Sequence, residues 1–103
     1  MISVAFTMKL LPGNEGVYEK RHNEIWPELA ELLKKAGITE YHIFLDRQSG
    51  VLFAFQNLTE TNQTKGLAEL SIMKKWWAHM EDIMETNPDQ SPKVTRLEKV
   101  FSL

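Results

Sequence analysis

A chain of 103 residues has the length of one domain, since domains run from about 50 to 250 residues. Hydrophobic residues at 43% and charged residues at 25% are the ordinary globular balance and exclude a disordered chain. A net charge of −2 without any Lys/Arg cluster argues against a nucleic-acid partner, and the absence of cysteine removes disulfides, thiolate metal sites and cysteine nucleophiles together.

Ile2, Val4, Phe6, Met8 and Leu10 alternate with Ser3, Ala5, Thr7 and Lys9, the period of a strand running from Ile2 to Leu11. Pro12-Gly13-Asn14 supplies a turn, with Asn14 placed as a helix N-cap ahead of Glu15. Val17, Tyr18, Ile25, Trp26, Leu29, Leu32, Leu33 and Ala36 then recur at helical spacing, and Gly37 stands as the stop. Pro27 inside that pattern predicts a kink or interruption just after Trp26. Ile38 to Asp46 and Val51 to Leu58 are rich in branched and aromatic residues and flank Arg47-Gln48-Ser49-Gly50, which predicts a hairpin. Thr59 to Leu70 is a weaker helical stretch containing Gly66. Ser71 is a candidate cap for a stronger one, striped by Ile72, Met73, Trp76, Trp77, Met80, Ile83 and Met84. Asn87 to Pro92 reads as a rigid polar loop, and Val94 to Leu103 as a closing strand.

The order strand, helix, strand, strand, helices, strand is that of the α+β ferredoxin-like split βαβ arrangement, an antiparallel sheet with helices on one face. The chain is read as a single domain over residues 1–103. On Val51 to Leu58, both sides are apolar: Val51, Phe53 and Phe55 on one, Leu52, Ala54 and Leu58 on the other. Helices cover one side of a sheet only, so a second copy is expected on the other, making a homodimer. No apolar run approaches the ~20 residues that span a bilayer, so no membrane partner is expected. The start, Met1 to Phe6, lacks a charged segment and a long apolar run, so no secretion signal is expected and a cytoplasmic location is.

Among groups able to move protons, His22 stands out. Tyr18, His22 and Trp26 fall at i, i+4 and i+8, on the helix face that carries Leu29 and Leu33, while Glu19, Lys20, Arg21, Asn23 and Glu24 take the solvent side. The commoner occupant of such a position is a core histidine bonded to a backbone carbonyl. Trp76-Trp77 adds a second aromatic element whose side chains diverge by ~100°, either a heavily packed core helix or the wall of a sugar-binding cavity. Tyr41 brings a further hydroxyl from a strand. Together these side chains suit an uncharged, polyhydroxylated ligand. His22, His42 and His79 have no metal-ligand spacing, and the glycines form no phosphate loop, so no metal and no nucleotide are expected; His42 and His79 read as structural and surface residues.

The run Arg21-His22-Asn23 to Ile25-Trp26-Pro27-Glu28-Leu29, with Tyr18, Tyr41, Leu45-Asp46, Trp76-Trp77, Asn87-Pro88-Asp89 and Ser91-Pro92, resembles the L-rhamnose mutarotase family along essentially the whole chain. The resemblance implies a dimeric α/β barrel, each protomer in the order derived above, and interconversion of the α and β anomers of L-rhamnose without a cofactor. It also implies that His22 is the proton donor and that Tyr18, Tyr41, Trp76 and Trp77 contact the sugar. The same architecture hosts small cofactor-free monooxygenases, and a non-enzymatic dimeric ligand-binding module is the third class. Burial would lower the pKa of His22 and a nearby carboxylate would raise it, and the sequence leaves both open.

Overall fold

The alternation over the first residues does form a strand, β1 (Ile2–Lys9), in a computed structural model that describes all 103 residues. It is followed by α1 (Glu15–Asn23), α2 (Pro27–Lys35), β2 (Ile38–Asp46), β3 (Val51–Leu58), a 3-10 turn (Thr64–Glu69), α3 (Ser71–Met80), a second 3-10 turn (Glu81–Ile83) and β4 (Thr95–Leu97). The four strands make one antiparallel sheet in the order β2-β3-β1-β4, the ferredoxin-like arrangement, with β1 and β3 at its centre.

Helices pack on the sheet face that carries Met8, Leu52 and Ala54, and these join Leu29, Met73, Trp76, Met80 and Ile83 in one core. Leu52 and Leu29 are essentially sealed, so shortening either side chain would leave a cavity. The opposite face is bare. There Phe44, Phe53 and Thr7 stand in register, as do His42, Phe55, Ala5 and Leu97, two cross-strand rows with Phe44 68% and Leu97 45% exposed.

Three local readings change. The long helix is not kinked after Trp26 but divided before it. α1 ends at Asn23, Trp26 is extended (φ −59°, ψ 125°), and Pro27 opens α2. A residue preceding proline is driven out of the helical region, whereas proline itself suits a first helical turn. Neither expected cap bonds its helix. Asn14 turns its amide back to the carbonyls of Leu11 and Pro12, closing the loop, and Ser71 lies one residue inside α3. The closing strand is three residues long, because only Ala5 to Thr7 of β1 face it. Beyond it Val100, Phe101 and Leu103 are exposed.

Gly37 ends α2 at φ +106°, and a Cβ there would lie 2.7 Å from the Asn62 Cβ and 2.7 Å from the Thr59 Oγ1. The neighbouring carbonyls accept from Thr59 N and Gln63 N, which pins the loop against the turn. Gly37→Ala is therefore expected to cost about 1–3 kcal/mol or more, read as a lower urea midpoint. An unchanged midpoint would show that the loop yields freely.

Candidate active site

All five expected site residues, Tyr18, His22, Tyr41, Trp76 and Trp77, line one cavity of about 860 Å³ between the helices and the inner sheet face. That volume lies within the usual range for small-molecule sites. Tyr18 and His22 come from successive turns of α1, Tyr41 from β2, and the two tryptophans from α3. Trp76 is buried in the core and Trp77 half-buried, so the adjacent indoles divide between packing and wall.

The imidazole of His22 stacks on the Tyr18 ring at 4.2 Å between centroids and meets the edge of Trp76 at 5.5 Å. Its Nδ1 lies 3.2 Å from the Tyr18 carbonyl oxygen. A carbonyl oxygen only accepts, so Nδ1 carries the hydrogen and, in the neutral ring, Nε2 keeps its lone pair. The backbone bond expected of a core histidine and a group able to move protons thus occur in one residue. Burial pushes the His22 pKa down, and the bond to the Tyr18 carbonyl only partly opposes this. The ring is consequently neutral at pH 7. Burial raises the pKa of Tyr18, helped by Tyr41 nearby, so its phenol stays protonated and can donate.

Tyr41 faces Gln56 directly across the β2–β3 ladder, and both line the cavity. Desolvation of its hydroxyl raises the Tyr41 pKa, and the Gln56 side chain beside it partly opposes the rise. Sequence reading passed over Gln56, although its alternation with Leu52, Ala54 and Leu58 already placed it on the inner face. Trp26, expected on the same helix as His22, lies in the break between helices and packs on Trp76 at 5.1 Å instead. Val17 is 40% exposed and leaves the apolar stripe. Arg21, expected on the solvent side, is largely covered and reaches Asp82. His79 is exposed, with its ring against Trp26 and Trp76, and His42 is exposed on the bare sheet face beside Glu40 and Phe55. No three His, Asp or Glu side chains gather where they could hold a metal ion. No helix is long and apolar enough to cross a membrane.

A neutral imidazole and protonated phenols line one cavity on a ferredoxin-like α+β sheet, the groups that acid–base chemistry on a small uncharged molecule would use. The family model for L-rhamnose mutarotase matches residues 3–103. The L-rhamnose mutarotase of Flavobacterium johnsoniae is 52% identical over 99 residues, covering 96% of this chain and 92% of that protein. The crystal structure of the L-rhamnose mutarotase from Formosa agariphila superposes with a TM-score of 0.94 at 46% identity, covering 100% of this chain and 99% of that one. A solved structure from Mycobacterium tuberculosis, with a TM-score of 0.60 at 13% identity over 97% of this chain and 95% of its own, shares the fold alone. The chain belongs to the L-rhamnose mutarotase family.

Proposed function

We propose that this member of the family opens and recloses the pyranose ring of L-rhamnose with His22 as the group that moves the proton, interconverting the α and β anomers. The observation that carries the reading is the His22 imidazole, neutral and held through Nδ1 to the Tyr18 carbonyl, in the cavity of a chain of this family. Nε2 takes the proton of the anomeric hydroxyl as the bond from C1 to the ring oxygen breaks. The ring oxygen takes a proton from a phenol or water donor and becomes the C5 hydroxyl. The aldehyde turns about C1–C2, and the C5 hydroxyl adds to its other face, giving its proton back to the phenol or water group that supplied it, while protonated His22 returns a proton to the former carbonyl oxygen. On closure His22 is the proton donor, the role the family resemblance implies. Tyr18, Tyr41, Trp76 and Trp77 supply donors and apolar walls that hold both anomers and the aldehyde without anchoring one of them. The reaction so written needs no cofactor.

Saturation-difference proton NMR on equilibrated L-rhamnose tests this directly. Added protein should speed anomer exchange, and the rate should be level near neutral pH. Because His22 is titrated below its ordinary value of 6.5, base-form imidazole is lost only as pH falls under that value, and the rate should fall there with single-proton dependence. No added exchange would sink the activity, and an acid limb centred above pH 7 would contradict a desolvated base. A cofactor-free monooxygenase and a non-enzymatic module find no support in the mutarotase family match.

A homodimer and a cytoplasmic location belong to the same proposal. Phe44, Phe53, Phe55 and Leu97 stand exposed on the sheet face that no helix covers, and apolar side chains grouped in this way mark a surface that a partner covers. A second copy meeting face to face would complete the α/β barrel.

A further inference from the structure

α1 buries a single side chain, Tyr18, so apolar packing gives this nine-residue helix a weak hold on the rest of the chain. Its last turn nevertheless carries His22 and must stand at a set distance from α3. Arg21 bridges the two. Its guanidinium meets the Asp82 carboxylate on two prongs, Nη1 to Oδ1 at 2.8 Å and Nη2 to Oδ2 at 3.1 Å. Nη1 also donates to the main-chain carbonyl of His79. His79 lies in the last turn of α3, whose carbonyls lack intrahelical partners, and Asp82 lies in the 3-10 turn that follows. One side chain thus fastens the His22 end of α1 to the end of the helix that presents Trp76 and Trp77. The planar fork of arginine makes such a junction directional, which a lysine ammonium does not. The Asp82 side chain is 66% exposed, so the pair contributes little to stability, and its effect is geometric.

We infer that Arg21, held by Asp82, is a positioning residue for the mutarotase reaction: it sets where His22 stands against the Trp76–Trp77 segment without touching the sugar. The inference rests on the reading of His22 as the group that moves the proton. Displacing a reacting group by an ångström costs on the order of a hundredfold in rate.

The test compares Arg21→Gln, Asp82→Asn, the double variant, Arg21→Lys and His22→Gln. One readout is anomer exchange of L-rhamnose across sugar concentration. The other is the chemical shift of the His22 ring protons, identified by their absence from His22→Gln. These protons lie over Tyr18 and beside Trp76, so ring currents report small displacements. Arg21→Gln and Asp82→Asn should each lose about 10- to 100-fold in maximal exchange, with the half-saturating sugar concentration within about threefold. Both should move the His22 ring protons toward the free imidazole position. The double variant should be no slower than the slower single, because both remove one junction, and Arg21→Lys should fall between parent and Arg21→Gln. Exchange within about twofold of the parent in both singles, losses that multiply in the double, or unmoved ring protons would each overturn the inference. Should Arg21→Gln fail to fold, the isosteric Asp82→Asn carries the same comparison. Full exchange in His22→Gln would instead overturn the reading of His22, leaving the ring-proton shift to decide the positioning alone.

Discussion

Glutamine at position 22 is expected to abolish nearly all anomer exchange that the protein adds while leaving the chain folded. The side-chain amide can still donate toward the Tyr18 carbonyl, now 3.2 Å from Nδ1, but it neither accepts nor returns a proton. General acid–base groups contribute about 10²–10⁴-fold, so a loss of that size is expected, roughly 3–5 kcal/mol on the barrier. His22 is half-buried and one of several rings around Trp76, so the loss of its stack on Tyr18 should lower stability by only about 1 kcal/mol. Saturation-difference NMR gives the rate and a thermal melt the fold. A folded variant with near-parental exchange would remove His22 from the chemistry and direct attention to Tyr18 and Tyr41, the phenols of the cavity.

A carboxylate at position 53 should separate the two copies of the proposed homodimer. Phe53 stands on the bare face of β3, between Phe44 of β2 and Thr7 of β1, and is 44% exposed in the single chain. Phe53→Glu therefore leaves the helix-covered core untouched. In a face-to-face dimer the new carboxylate would lose its water among the phenylalanine rows, at a cost of several kcal/mol, and the two-fold axis doubles that cost. The dissociation constant should weaken by a thousandfold or more, since each ~1.4 kcal/mol is tenfold. Sedimentation velocity at micromolar concentration should show the parent as dimer and the variant as monomer. A monomeric parent, or a variant that still dimerises, would mean that another surface covers this face.

The sequence by itself determined the order of the elements along the chain, the hairpin and the family. Alternation over Ile2 to Leu10 and over Val51 to Leu58 is a local property of a chain that must bury one sheet face, and both strands form where the pattern places them. Gly50, at φ +75°, closes the hairpin that its turn residues predict. The motif from Arg21 to Leu29 and the Trp76-Trp77 pair were enough to name the family to which the chain belongs. Tertiary structure decided what depends on partners far along the chain. The direction of the His22 pKa follows from how much water its neighbours exclude, which no spacing encodes. Arg21 looked solvent-facing on its own helix because Asp82 lies 61 residues away, brought near only when α1 and α3 share one face of the sheet. The last strand stops at Leu97 for a similar reason: a strand lasts only as long as a neighbour faces it, and in a single chain β1 offers three residues.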